Sequence, residues 1–176
     1  LGTSADSIDL AEDRSRFEAL LEKLSIKRPQ GLTVFTEKEA LKAAELIGYP
    51  VLIRPSYVLG GQSMKIVINE KELESHILDI WKHLPENKVL LDHFLENAVE
   101  AEADAICDGE DVYIIGIMQH IEPAGIHSGD SYAVLPPYNL GDLVIKQIET
   151  YTKRIAVALK TVGLINTKEG RSFDFF

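Results

Sequence analysis

The sequence is poor in cysteine and in basic residues, and both shortages exclude classes of function. Cys107 is the single cysteine among the 176 residues, so an internal disulfide framework is excluded and a reducing compartment is favoured. Lysine and arginine total 18 against 28 aspartates and glutamates, which gives a formal net charge of −10. That balance argues against binding along a nucleic-acid backbone, although single arginines in a pocket can still contact phosphate.

Long apolar runs and targeting segments are also missing. No run approaches the roughly 18 residues that a bilayer-spanning helix needs, and the acidic N-terminus LGTSADSIDLAEDR lacks the basic region of a secretory signal. We therefore expect a cytoplasmic protein that binds neither membranes nor nucleic acid. With 45% hydrophobic and 26% charged residues, the chain should fold as a globular protein. Its start at Leu1 suggests a piece of a longer polypeptide.

Hydrophobic periodicity predicts helices and short strands in the first half of the chain. Asp9 is a candidate helix cap, and Thr36 with Glu39 forms a capping box for a helix that Gly48 ends. The predicted elements are a helix at 9–24, a strand at 32–35, a helix at 37–47, strands at 51–53 and 64–68, and a helix at 70–84.

The second half predicts a sheet and a long helix. Strands are predicted at 88–95, 99–108 and 111–121, and Asp108-Gly109 supplies a hairpin turn. The middle strand alternates apolar and acidic residues, so one of its faces should be apolar and the other polar. A loop at 122–137 precedes a helix at 140–162. The predicted fold class is α+β: a small helix–strand lobe, then an antiparallel sheet backed by a long helix.

The segment RPSYVLGGQSM, residues 54–64, links two predicted strands. In one interpretation it is a plain connection in which Gly60 and Gly61 allow positive φ. In the other it is a flap whose glycine N–H groups approach phosphate oxygens, with Arg54 as a permanently charged partner for phosphate. The spacings G-x-x-x-x-G-K-[ST] and G-x-G-x-x-G are both absent, so the segment is neither a P-loop nor a dinucleotide-binding turn.

The segment LLDHFLENAVEAEAD places polar residues at the end of an apolar strand. Glu100 and Glu102 are either exposed carboxylates at a solvated strand edge or part of a nucleoside slot. In such a slot, backbone groups near His93 and Leu95 would read the base edge, and a carboxylate would accept hydrogen bonds from ribose.

Two further features are weaker. GIHSGDS, residues 125–131, is a polar loop of the kind in which sites concentrate. His127 alone is more often structural than catalytic, but the neighbouring Ser128 and Asp130 favour a site. No G-x-S-x-G elbow and no zinc-ligand spacing is present. Arg14 is either an exposed helix residue paired with Glu18 or a second phosphate-seeking guanidinium.

Four stretches, in this order, resemble the large subunit of carbamoyl-phosphate synthase: GTSADSIDLAEDRSRF, GYPVLIRPSYVLGGQSMKIV, VLLDHFLENAVEAEADAICDG and HIEPAGIHSGDSYAVLPP. More narrowly, residues 1–166 are similar to the ATP-grasp unit of the half that phosphorylates carbamate. The resemblance implies a partial ATP-grasp fold. Its parts would be a helical entry segment at 1–50, a lid lobe at 51–87, the first part of a nucleotide-binding sheet lobe at 88–166, and a tail at 167–176 that matches nothing in the family.

The resemblance also implies roles for single residues in binding ATP. Arg14 and Arg54 would contact phosphates, and Glu100 would bind the ribose. His93 and Leu95 would meet the adenine edge, and Gly60 and Gly61 would lie in the flap. The remaining lining of the nucleotide site would be formed by Gly125, Ile126, His127 and Ser128. Of all these, Arg54 and His127 are the candidates for catalysis.

The family's activity sets the expected function. The resemblance implies a ligase that uses ATP to phosphorylate carbamate, in glutamine-dependent carbamoyl-phosphate synthesis for pyrimidines and arginine. The implied partners are the N-terminal half of the large subunit and a glutaminase small subunit. The implied ions are Mg²⁺ or Mn²⁺, with K⁺ as a further candidate. Lys168 stands where the family has an amide metal ligand, so we predict no metal ligand in this chain and no activity of the chain alone.

Two alternatives stay open. The chain could be a nucleotide-binding module without catalysis. It could also be another ATP-grasp ligase, such as a biotin-carboxylase-like or purine-pathway enzyme, although the segment HSGDS speaks against that alternative.

Overall fold

The computed structural model describes residues 2–55, 64–83, 88–124, 126 and 128–171. Two compact units are present: Pro29–Leu95 forms one, and the described residues before and after that range form the other. In chain order the helices and strands are α1 Ala5–Glu12, α2 Arg14–Lys23, β1 Gly31–Val34, α3 Glu37–Ile47, β2 Val51–Pro55, β3 Lys65–Val67, α4 Glu70–His83, β4 Val89–His93, β5 Val99–Asp108, β6 Val112–His120, β7 Ala133–Val134, α5 Asp142–Ala158 and β8 Val162–Arg171, with a 3₁₀ turn at Ser128–Asp130.

The unit Pro29–Leu95 is a four-stranded antiparallel sheet, in the order β1-β4-β2-β3, covered by two helices. Alternate residues of the two central strands, β2 and β4, are fully buried against α3 and α4, as the period of a half-buried strand requires. The core members from these four elements are Val51, Ile53, Val89, Leu91, Ala40, Ala43, Ala44, Ile47, Leu73, Ile77 and Ile80. This unit therefore has a hydrophobic core of its own.

The predicted helix after Thr36 is confirmed, together with both of its ends. The Thr36 side chain accepts a hydrogen bond from the Glu39 N–H, and the Glu39 carboxylate accepts one from the Phe35 N–H. The carboxylate thus reaches one residue further back than a standard capping box requires. At the other end Gly48 has φ of +83°, a conformation that glycine adopts without strain.

The second unit is an antiparallel sheet in the order β7-β6-β5-β8, with α5 packed on one face. The predicted alternation of β5 is confirmed: Ala101, Ala103 and Ala105 are buried, and the acidic residues between them point to the other face. The Asp108-Gly109 turn is confirmed as well, with φ of +106° at Gly109. The Glu110 and Asp111 N–H groups donate to the Asp108 carboxylate and lower its pKa.

The single helix predicted at 9–24 is wrong, because the chain turns at Asp13. Ser4, rather than Asp9, caps the first helix, α1. Asp13 is extended, and its side chain accepts from the Arg16 N–H at 2.8 Å, which starts α2. The two helices are also tied by Arg16, which donates to Asp6 at 2.8 Å and to Asp9. An aspartate inside a helical pattern can act as an N-cap, and Asp13 does so for α2.

The end of the predicted helix at 140–162 is wrong too. α5 ends at Ala158, Lys160 takes a positive φ of 49°, and Val162 begins β8. The predicted tail at 167–176 begins inside β8, where Thr167–Arg171 pair with β5 in continuous register. β8 therefore carries residues 167–171 into the sheet.

The sequence predicts that strand 88–95 belongs to the same sheet as the strands that follow it. Instead, β4 pairs with β1 and β2 in the sheet of Pro29–Leu95. The compact units divide after Arg28 and after Leu95, whereas the predicted functional segments divide at 50/51 and 87/88. No helix in the described part of the chain is long and apolar enough to cross a membrane.

Candidate functional site

Arg54 lies on β2, on the sheet face turned away from α3 and α4. Its Nη2 donates to Asp92 Oδ2 at 2.5 Å, across the diagonal between β2 and β4. The Asp92 side chain is 9% exposed and that of Arg54 is 35% exposed. The Arg54 Nε is buried and has no hydrogen-bond partner within the described ranges. The guanidinium is thus oriented by one carboxylate and keeps donors for another acceptor.

His93 ends β4 on the opposite face from Arg54, because it pairs with Val51. Its N–H donates to the Gln30 carbonyl at 2.8 Å, and the Phe94 N–H donates to the Pro50 carbonyl at 3.0 Å. The His93 Nδ1 is buried without a hydrogen-bond partner among the described residues. Leu95 follows, half-buried. The backbone around these positions is held in place, as recognition by main-chain groups requires.

In the second unit, six polar residues form a row on the face of β5 opposite α5. We call them the carboxylate row: Glu100, Glu102, Asp104, His120, Asn166 and Lys168. The three acids alternate along β5, and their partners come from β6 on one side and β8 on the other.

The contacts within the carboxylate row are short and specific. Lys168 Nζ lies 2.8 Å from Glu100 Oε2, and His120 Nδ1 lies 3.5 Å from the same oxygen. His120 Nε2 lies 3.0 Å from Glu102 Oε1. Asn166 Nδ2 donates to Glu102 Oε2 at 3.2 Å and to Asp104 Oδ1 at 2.8 Å. Asn166 thus bridges Glu102 and Asp104 by hydrogen bonds, whereas the buried His120 Nδ1 has no hydrogen-bond partner among the described residues.

This arrangement excludes one of the two interpretations of Glu100 and Glu102. Both side chains are 13% exposed, and that of His120 is 3% exposed. Carboxylates that are so little solvated need compensating charges or hydrogen bonds, and the carboxylate row supplies them. The interpretation of Glu100 and Glu102 as simply solvent-exposed is therefore wrong.

Sequence reasoning missed His120 and the partnership of Lys168 with Glu100. A β-bulge between Asp104 and Ala105 shifts the register of β5 against β6 by one residue. The shift puts Gln119 opposite Ala101, and the next pair outward is Glu100 with His120. If β5 and β6 paired from the Asp108-Gly109 turn without a bulge, the His120 side chain would lie on the opposite face of the sheet from Glu100. No feature of the sequence marks the bulge.

The remaining predicted site residues are only partly described. Arg14 is the first residue of α2, but its side chain lies outside the described residues. Glu18, its suggested partner, has an ion pair with Arg28 at 3.1 Å. Ile126 is 38% exposed, and Ser128 opens the 3₁₀ turn. Four glycine and histidine positions lie outside the described residues: Gly60, Gly61, Gly125 and His127.

The described residues also bear on metal binding. Within them, no group of three or more His, Cys, Asp or Glu side chains could hold a metal ion. Mg²⁺ requires octahedral oxygen ligands, and the Glu100 oxygen of the carboxylate row already has an ammonium 2.8 Å away. The described residues therefore offer no cluster that would hold Mg²⁺ through three or more of these side chains.

Comparison with known proteins identifies the family. The model of the family described as "Carbamoyl-phosphate synthase L chain, ATP binding domain" matches residues 13–168. This chain belongs to that family. The predicted family is thereby confirmed, and the alternative of a different ATP-grasp family is set aside.

Curated relatives agree with the family model. Proteins named carbamoyl phosphate synthase large chain are 52% identical in Archaeoglobus fulgidus over 98% of this chain, and 54% identical in Acidobacterium capsulatum over 94% of it. The one from Pasteurella multocida is 52% identical over 96% of this chain. The chain spans only 16%, 15% and 16% of the length of these three relatives.

Solved structures show the fold. The chain superposes on a biotin carboxylase complex from Campylobacter jejuni with a TM-score of 0.83 and 19% identity, over 99% of this chain and 40% of that one. It superposes on D-alanyl-alanine synthetase A from Vibrio cholerae with a TM-score of 0.79 and 17% identity, over 99% and 55% of the two chains. The predicted α+β, ATP-grasp fold is confirmed.

Proposed function

We propose that this chain is the ATP-binding part of a carbamoyl-phosphate synthase large chain, and that the whole protein phosphorylates carbamate with ATP. The observation that carries the proposal is the family match over residues 13–168, together with relatives of about half-identical sequence that bear this name. The chain spans about one-sixth of those relatives. Its partners would be the rest of the large chain, including the N-terminal half, and a glutaminase small subunit, in the cytoplasm.

Arg54 is the residue best prepared to bind the ATP phosphates. Its charge is permanent, its fork is oriented by Asp92, and its Nε is unpaired within the described residues. Arg14 would add a second guanidinium, and Gly60 and Gly61 would lie in the flap that covers the phosphates. Hydrogen bonds to charged groups contribute about 1.5–3 kcal/mol each, which is enough for Arg54 to decide the affinity.

The nucleoside half of ATP would be bound by residues near the end of β4 and the start of β5. Main-chain groups near His93 and Leu95 would meet the adenine edge, since this backbone is anchored to Gln30 and Pro50. Glu100 would accept hydrogen bonds from ribose hydroxyls, as acidic residues do in other nucleotide sites. The stretch Gly125–Ser128 would complete the lining, with His127 close to the chemistry.

Carbamate is a weak nucleophile that decomposes in water, so the reaction needs fixed positions and a dry site. Arg54 and Arg14 would hold the phosphates while the flap excludes water. Phosphoryl transfer also needs Mg²⁺, which neutralises charge on the phosphates when bound. The described residues include no group of three or more His, Cys, Asp or Glu side chains that could hold a metal ion, and the ligands for Mg²⁺ or Mn²⁺, and for K⁺, would come from residues outside them.

The isolated 176-residue chain is therefore expected to bind adenine nucleotide without turning it over. Incubated with ADP, carbamoyl phosphate and Mg²⁺, it should form no ATP above a protein-free blank in a luciferase assay, because the described residues include no cluster of three or more side chains for a metal ion. A full-length carbamoyl-phosphate synthase large chain serves as the positive control. ATP formation that scales with the concentration of this chain would show that the chain is catalytically complete.

The second candidate function is a nucleotide-binding module with no catalytic role in any context. The contact between Lys168 and Glu100 favours it, because a cation occupies the carboxylate row. Adding the remaining parts of the large chain in trans separates the two candidates: restored turnover supports the synthase, and continued inactivity supports the module.

A further inference from the structure

Lys168 brings a positive charge into the carboxylate row by a contact that the sequence alone does not reveal. It lies on β8 opposite Glu102 in the strand register, yet its Nζ reaches diagonally to Glu100 Oε2 at 2.8 Å. Its side chain is 35% exposed, so it is partly open to solvent on this face of the sheet.

The other contacts in the carboxylate row show how its negative charge is compensated. Asn166 donates to Glu102 and Asp104 but carries no charge. His120 lies between Glu100 and Glu102. Lys168 is the lysine of the carboxylate row, and its ammonium lies beside Glu100.

An ammonium in this position acts against a divalent cation on the same face. A Mg²⁺ ion bound at the carboxylate row would have to displace Lys168 from Glu100 or lie close to its charge, and like charges at such distances repel. The described residues also include no group of three or more acidic, histidine or cysteine side chains fit for a metal.

The same ammonium is suited to phosphate. Lysine binds phosphate as a compact charge on a flexible four-carbon stem. Glu100, the neighbour of Lys168, is the residue that we assign to ribose, and the phosphates of a nucleotide are attached to that ribose through its 5′ oxygen. A ligand whose ribose meets Glu100 therefore brings its phosphate oxygens into the neighbourhood of Lys168.

We propose that Lys168 is a tethered cation that takes over the neutralising role of a divalent ion, so that this chain binds ADP equally well with and without Mg²⁺. This inference rests on the proposed function, because it requires an adenine nucleotide at Glu100. It names a specificity-determining residue: Lys168 sets the preference between free and magnesium-bound nucleotide.

The test is calorimetric titration of the full chain with ADP, once with EDTA and once with MgCl₂, at matched ionic strength because surface charges are screened by salt. Four proteins are compared: the parent chain, Lys168→Gln, Lys168→Arg and Lys153→Gln. Lys153 is the matched control, because it is an exposed lysine on α5, which packs on the other face of the sheet. Circular dichroism melts check that each variant folds.

For the parent chain, the dissociation constants with and without Mg²⁺ should agree within about threefold. Lys168→Gln should weaken binding in EDTA by about tenfold and shift the preference towards MgADP. Lys168→Arg should stay within about threefold of the parent chain, since it keeps the charge. Lys153→Gln should change nothing.

Two results would overturn the inference. One is a parent chain that binds about tenfold more tightly with Mg²⁺; the other is a Lys168→Gln variant that behaves like Lys153→Gln. Either would leave the proposed function standing, because ADP still binds. A parent chain that binds no ADP in either buffer would overturn the proposed function, and the inference would fall with it.

Discussion

Replacing Arg54 by alanine is expected to weaken ADP binding by about 1–3 kcal/mol, which corresponds to roughly 5- to 150-fold in the dissociation constant. The reason is geometric as well as electrostatic. Asp92 orients the guanidinium through its Nη2, and arginine carries five N–H donors, so others remain for phosphate oxygens. Calorimetric titration of the variant and the parent chain with ADP measures the difference directly.

Two further variants make the Arg54 result specific. Arg54→Lys keeps the charge beside Asp92 but loses the planar fork, and it should fall between the parent chain and Arg54→Ala. Lys42→Ala removes an exposed charge on α3 in the same unit and should leave the affinity unchanged. An Arg54→Ala protein that folds and binds ADP as tightly as the parent chain would remove Arg54 from the site.

Replacing Leu73 by alanine is expected to destabilise the unit Pro29–Leu95 by about 2–5 kcal/mol. Leu73 lies on α4, is 0% exposed and belongs to the core formed with α3, β2 and β4. Removing its side chain loses buried apolar contacts and leaves a cavity that the surrounding core can close only in part. Urea denaturation followed by circular dichroism measures the change in unfolding free energy.

Leu78→Ala is the matched control for Leu73→Ala, because it makes the same substitution on the same helix. Leu78 is 53% exposed, so its loss should cost less than about 0.5 kcal/mol. Equal losses of stability at Leu73 and Leu78 would contradict the independent core described for this unit.

Much of the fold can be predicted from local patterns, and β5 shows why. Alternation of small apolar residues with acids, interrupted at Ile106, predicts both the bounds of this strand and its two faces, and Val99–Asp108 agrees at each end. The helix from Glu37 to Ile47 is equally predictable, because Thr36 and Gly48 mark its two ends. In both cases the information lies within about ten neighbouring residues.

Other features depend on interactions that local patterns do not contain. Asp13 can sit within a helix or cap a new one, and only the structure shows that it starts α2. Val162 continues the apolar spacing of α5 but begins β8, after Lys160 has reversed the chain. Strand β4 joins strands that precede it in the sequence, and this choice depends on packing between distant segments.

The candidate site divides in the same way. Arg54, His93 and Glu100 can be predicted from their segments and from the family resemblance, whereas their contacts cannot. Asp92 lies on the neighbouring strand from Arg54. His120 reaches Glu100 because a bulge at Asp104 shifts the pairing by one residue. Sequence reasoning thus proposes single residues, and the register of the sheets shows their partners.

The most direct test of the central claim is an amide NMR titration of the 19.6 kDa chain with ATP. The claim is the proposal above that Arg54, His93 and Glu100 each take part in binding ATP. We expect the amide signals of these three residues to shift together and to saturate at one ATP per chain, while Lys42 and Lys153 stay in place. Unchanged signals at all three positions, or shifts confined to other surfaces, would contradict the account.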